Sequence, residues 1–220
     1  MEISKKAFQK PRTPIDLQQY VDDAYEFICG PEDILHAARL KKEPYKTFQE
    51  ELLPFSAFCT WKYGNRTDVL CSLVPGTTGR DAIVHHLTTD VKHSVEITWP
   101  IDGKQIVQNN KQLNESHTIW RTGWYDDGNT ELKKAMERIL NKAYDKSQKD
   151  YRSAGGSTLI FVFDEFSLFS RSDPKKVEIL NNLIKQMREI DFRVDEVLLM
   201  LAQSREKPKT FITIKKRASN

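Results

Sequence analysis

Gly79-Arg80-Asp81-Ala82-Ile83-Val84-His85-His86, followed by Val95-Glu96-Ile97-Thr98-Trp99, is the stretch whose reading decides the fold. Both segments are rich in apolar and β-prone residues, and the link Thr88-Thr89-Asp90-Val91-Lys92 between them is turn-prone. If the two strands pair, Asp81 at the start of one can face Glu96 in the middle of the next. Strand side chains alternate, so Glu96 and Thr98 fall on one face and Val95, Ile97 and Trp99 on the other. Two carboxylates meeting at an open sheet edge form a hard-oxygen site suited to magnesium. Metal-assisted phosphodiester hydrolysis is the sharpest expectation that follows. The competing reading is that both acids are solvated strand-end carboxylates.

Working outward, Asp68 to Val74 reads as a preceding strand and Pro75-Gly76-Thr77-Thr78-Gly79 as its turn. With Asp81–Leu87 and His93–Trp99 this predicts a three-strand meander. Before it, apolar residues from Ile15 to Ile28 recur at helical spacing and stop at Gly30-Pro31. A short helix over Asp33–Leu40 follows, then one over Tyr45–Phe58 that carries Glu50-Glu51 and that Pro54 should end or kink. After the meander, Asp102-Gly103 marks a turn before a polar helix over Lys104–Asn114. Thr130 is the expected N-cap of the next helix. Leu159–Phe163, apolar on both faces, reads as a central buried strand. Asp173-Pro174 opens a further helix, and Val194–Ala202 and Phe211–Ile214 read as the last strands. The order predicts an α/β (α+β) fold, a mixed central β-sheet with helices flanking it. Residues 1–14 are expected to form a polar extended arm and 15–220 a single globular domain.

Composition sets bounds. The chain has 220 residues, enough for a full core. Its 34 basic and 31 acidic residues give a net charge of +3, which neither demands nor excludes nucleic acid. Cys29, Cys59 and Cys71 are odd in number and widely spaced, an argument against a disulfide framework and for a reducing, cytoplasmic setting. Neither an apolar signal core nor a run of membrane-spanning length is found, so no membrane association is expected.

The element order, with Asp81 and Glu96, resembles the PD-(D/E)XK nuclease superfamily. Arg80-Asp81 stands in the P-D place and Glu96-Ile97-Thr98 in the E-x-K place. The resemblance covers roughly Tyr45 to Phe163 and implies a restriction-endonuclease-like core. It further implies a magnesium-dependent hydrolase acting on nucleic acid, with Asp81 and Glu96 as metal ligands. Glu50 or Glu51 matches a frequent additional acid in position type, and Glu51 is taken as the further metal or supporting acid. The lysine that would orient the attacking water is replaced by Thr98, which can donate a hydrogen bond but brings no positive charge. Relocated lysines occur in the superfamily, so Lys104 or Gln105 on the following helix is the expected substitute. The alternative is a catalytically inactive descendant, a nucleic-acid-binding or protein-assembly module.

Other features carry less. Asp68 is a rival first ligand, but it would leave a longer insertion before Glu96. Asp164-Glu165 after the apolar strand lacks a phosphate-binding loop to accompany it and reads as strand-end acids. His85, His86 and His93 could share a hairpin, without the spacing of a transition-metal site. Cys59 and Cys71 read as core packing. Lys5, Lys6, Lys10 and Arg12 at one end, and Lys207, Lys209, Lys215, Lys216 and Arg217 at the other, could attract phosphates or remain solvated. Trp120, Arg121, Trp124 and Tyr125 could stack on bases or pack over the sheet. The oligomeric state is not legible.

Overall fold

The computed structural model describes residues 1–74, 76, 79–101, 103–116, 129–163, 174–201 and 210–217, with all side chains except those of 104–106, 129–131 and 176. The chain is α+β, with six strands of mixed direction and flanking helices. The chain divides into two compact units. One comprises Met1–Ile97 and Asp102–Arg121, the other Thr98–Ile101 and Thr122–Asn220.

The first unit begins with helix α1 (Lys5–Phe8), which replaces the expected extended arm. The Ser4 hydroxyl accepts from the Ala7 N–H and caps it. Phe8 is fully buried and meets Phe48 and Tyr20 with ring centroids 6.2 and 6.4 Å apart. The arm reading failed because one buried aromatic, worth about 1.5–3 kcal/mol of transfer free energy, outweighs the polarity of its neighbours. Arg12 then pairs by backbone with Cys71, donating at 3.0 Å and accepting at 2.7 Å.

Helix α2 (Pro14–Cys29) follows, capped by Thr13 with proline in its first turn. Leu17, Val21, Ala24 and Ile28 make its buried stripe, one face at helical spacing. Helix α3 (Glu32–Arg39) leads into α4 (Tyr45–Thr47), a π-helical segment Phe48–Leu52, and α5 (Leu53–Tyr63). The helical path therefore continues past Pro54, and the expected disturbance is the π turn just before it rather than an end. A proline lacks its N–H and its ring crowds the carbonyl four residues back, here that of Glu50. The wider π turn, in which the Leu53 N–H donates to the Phe48 carbonyl, accommodates both defects. Gly64, at φ 55°, ends α5 in the left-handed region that glycine tolerates.

Strands β1 (Val69–Leu73), β2 (Ala82–His86) and β3 (Val91–Thr98) pair antiparallel in sequence order. The β2–β3 turn passes through Asp90 at φ 53°, a conformation that aspartate adopts more readily than most residues. Cys71, Val84, Ala82, Val95 and Ile97 are buried on the face covered by α5, where the Tyr63 and His86 rings lie 5.5 Å apart. Helix α6 (Gly103–Ser116) docks on the end of α3. Asn110 donates to the Arg39 carbonyl at 2.6 Å and Asn114 to the His36 carbonyl at 3.3 Å.

The second unit holds α7 (Asn129–Ser147), β4 (Ser157–Phe163), α8 (Pro174–Glu189), β5 (Glu196–Leu201) and β6 (Thr210–Lys216). β4 and β5 run parallel and are buried at every position, matching the apolar reading of Leu159–Phe163. β6 pairs antiparallel with β5. Leu132, Ile139, Leu183 and Met187 from the two helices complete the core. Among the described residues no helix is long and apolar enough to cross a membrane.

Candidate functional site

The site expected from sequence is built around the start of β2. The Asp81 N–H donates to the Val95 carbonyl at 2.9 Å, and an Asp81 carboxylate oxygen accepts from the Ile97 N–H at 2.7 Å. These two bonds bracket Glu96 on β3. The carboxylate replaces the backbone acceptor that Ile97 would otherwise find on β2, so Asp81 is anchored at the end of the strand pair. Glu96 leaves β3 on the face opposite Val95 and Ile97, as alternation requires, and is half-buried. Thr98, on the same side of the strand as Glu96, is 5% exposed, and its Oγ1 has no hydrogen-bond partner among the described residues. Lys104 and Gln105 stand in the first turn of α6, and their side chains lie outside the described residues.

The π segment brings a second acid to Asp81. Glu51 is half-buried, and its carboxyl is pushed up to about 7. Burial is the first cause, followed by the negative charges of Asp81 and Glu43. Lys5 opposes them, and Glu50 adds a smaller rise. Glu50 itself is tied to Lys41 at 2.5 Å, both side chains being largely buried. Glu43 accepts from the Thr47 hydroxyl at 2.9 Å and meets Lys5 at 3.4 Å. The neighbourhood of Glu51 is thus richer in carboxylates than in cations, a charge balance that a bound cation would relieve.

Sequence reading singled out Glu51 and Asp81, and Lys5 only as one of a basic group at the start of the chain, but missed Glu43 and Lys41. Their signal was absent because Lys5 and Glu43 meet only when α1 folds back on the π segment. Among the described residues no group of three or more His, Cys, Asp or Glu is placed to hold a metal ion. Magnesium takes as few as one or two carboxylates and fills its shell with water and phosphate, so a pair of acids fits its demands.

The other candidates separate. Asp68 is held by Arg66 in a two-pronged pair, with one contact at 2.9 Å, which keeps its carboxyl below the usual range. His85 meets Asp90 at 2.6 Å while His86 packs on Tyr63, so these two histidines serve different contacts. Cys59 and Cys71 are fully buried, and burial pushes the Cys59 thiol well above its ordinary value, with a hydrogen bond to Cys71 adding to the rise. Asp164, Glu165, Trp120, Arg121, Trp124, Tyr125, Lys207 and Lys209 lie outside the described residues. No protein-family model matches this chain, and neither a curated protein nor a solved structure matches it.

Proposed function

We propose that the chain is a magnesium-dependent nuclease of the PD-(D/E)XK type, with β1–β3 as the meander of a restriction-endonuclease-like core and the site at the start of β2. The observation that carries this reading is the Asp81 carboxylate fixed by the Ile97 N–H at 2.7 Å where β2 starts against Glu96 of β3, with a half-buried Glu51 whose carboxyl the Asp81 charge helps to raise. Asp81 and Glu51 would hold the cation, and Glu96, bracketed by the two Asp81 bonds, is the acid of the adjoining strand β3. The ion, when bound, polarises the phosphate and lowers the pKa of a coordinated water. Asp81 is preorganised for ligation because the Ile97 N–H fixes its carboxylate. Glu51 must give up its proton to become a ligand, so occupancy falls as pH drops below about 7. In the reaction a water oxygen bonds to phosphorus and the P–O bond to the leaving oxygen breaks with its electron pair. The water proton passes to solvent, and the leaving oxygen takes a proton from solvent.

The test is cleavage of labelled DNA and RNA in magnesium or manganese by wild type, Asp81→Asn, Glu51→Gln and Glu96→Gln. Loss of cutting in Asp81→Asn and Glu51→Gln is expected. Unchanged cutting in both variants removes the site, and the response of Glu96→Gln decides whether that acid shares the ion.

A second reading is favoured by Thr98, an almost fully buried hydroxyl where a lysine would supply charge. On that reading the chain is a non-cleaving descendant, a nucleic-acid-binding or assembly module. It predicts salt-sensitive binding to nucleic acid without hydrolysis in any divalent cation.

A further inference from the structure

We infer that the second unit carries a phosphate-binding face for nucleic acid, built by Arg193, Lys216 and Arg217 where β4 and β5 begin and β6 ends. This face stands apart from the Asp81 site and does not rest on the nuclease reading. The sequence left the basic group Lys215-Lys216-Arg217 open between attraction of phosphates and a solvated tail, and the fold rules out a tail. Lys215 and Lys216 belong to β6, in register with Val197 and Glu196, and the Arg217 N–H donates to the Asp195 carbonyl at 2.8 Å. The segment ahead of β5 reaches the same end. Arg193 bridges Asp150, ahead of β4, and its carbonyl accepts from the Tyr151 N–H at 2.9 Å. Three stretches far apart in sequence thus bring their cations to one end of the β4–β5–β6 strands.

Residues 149–152, 191–195 and 215–217 hold six basic side chains and three acidic ones, an excess equal to the +3 of the entire chain. The acids are already matched. Arg152 grips Asp150, with one contact at 2.8 Å, and Lys215 reaches Asp191 at 2.8 Å. Asp195 accepts from the Ser157 hydroxyl at 2.8 Å. Arg193, Lys216 and Arg217 are exposed and, among the described residues, pair with no acid. The Asp191 carboxyl is held down by Lys215 first, and the charges of Arg193 and Arg152 add to that, in keeping with the closeness of the three stretches. Unmatched cations on a fixed backbone suit a polyanion, since each phosphate held releases a counterion and the guanidinium fork matches phosphate oxygens. A protein or lipid partner would call for an apolar anchor. Among the described residues none of the exposed large apolar side chains lies on 149–153, 191–195 or 210–217.

The experiment measures binding of a fluorescent duplex oligonucleotide to the full chain in EDTA over a salt series, so that cleavage plays no part. One variant is Arg193→Ala/Lys216→Ala/Arg217→Ala, and a second, Arg193→Lys/Arg217→Lys, retains the charge. The control Lys133→Ala/Lys142→Ala/Lys185→Ala removes equal charge from exposed positions of α7 and α8. The first variant should bind about 100-fold more weakly at about 0.1 M salt, with the slope of log affinity against log salt reduced by about two to three. The lysine variant should keep the wild-type slope, the control should match wild type, and all Tm values should agree within about 2 °C. Equal losses in the first variant and the control would reduce the effect to net charge and overturn the face. Wild-type binding in the first variant would do the same, as would failure of wild type to bind at low salt. Loss confined to phosphatidylserine vesicles offered in place of the oligonucleotide would assign the face to a membrane and overturn it as a nucleic-acid site. Cutting that survives Asp81→Asn and Glu51→Gln, or its absence from wild type, removes the nuclease reading alone and leaves this face standing.

Discussion

The carboxylates of the second unit and those gathered at the π segment of the first are handled in opposite ways. In the second unit Asp150 is gripped by Arg152, with one contact at 2.8 Å, and Asp191 by Lys215 at 2.8 Å. Both carboxyls are held below their usual range, each chiefly by the hydrogen bond from its basic partner. Asp195 accepts from the Ser157 hydroxyl at 2.8 Å, and the buried Glu196 accepts from Thr158 at 2.9 Å. In the first unit Glu43, Glu50, Glu51 and Asp81 gather where Lys5 and Lys41 are the opposing cations, and Glu51 is pushed up rather than down. Acids that serve structure are matched locally. An acid left crowded and half-buried costs stability once ionised, and such positions are where function is found.

The sharpest way to break this contrast is Asp81→Asn. It keeps an acceptor for the Ile97 N–H and removes the charge, so divalent-dependent cleavage should fall about 100- to 1000-fold, read as kcat/KM in manganese. Retention of activity would reduce the Asp81 carboxylate to a strand-end anchor.

Next in size is the effect of magnesium or manganese on wild-type thermal stability at pH 8. An ion at 100 times its Kd should add about 2.7 kcal/mol, and this gain should vanish in Asp81→Asn and Glu51→Gln. An equal gain in all three proteins would place the ion elsewhere.

Glu51→Gln also sharpens the comparison without metal. The folded-state carboxyl titrates at about 7, above its ordinary value, so its protonated form is the one that folding favours. Its contribution is fully present below the ordinary carboxylate range and is lost as pH rises through about 7. Glu51→Gln should therefore raise Tm relative to wild type at pH 8 and match it at pH 4. Discounted for the exposure of this half-buried group, the gain is about 1 kcal/mol, or about 2–4 °C. A difference independent of pH would refute the ionisation argument.

The smallest change belongs to Asp150→Asn. An exposed pair such as Asp150–Arg152 should shift Tm by about 1 °C and leave cleavage unaltered. A large loss would show that the second unit depends on its surface pairs.

Much of the architecture was written in local patterns. The stripe from Leu17 to Ile28, the continuous apolar run of β4 and the alternation of Val95, Glu96 and Ile97 each report one element's own burial. Pro54 announced a disturbance without its form, because the penalty for a proline assumes an α-helical turn and the π turn through Glu50 and Glu51 avoids it. The arm failed for a related reason. Phe8 sits alone among polar residues, and a single aromatic has no period to betray its burial.

The amino-acid order by itself determined which segments become strands and helices, and it named Asp81, Glu96 and Glu51 as acids worth following. Side-chain period and turn chemistry act over a few residues, within reach of a linear reading. Only the tertiary structure decided that the charges of Asp81 and Lys5 both act on Glu51 and that Phe8 of α1 packs against the π segment. Charge interactions and desolvation depend on separation in space, and the chain brings these groups together from positions 5, 51 and 81.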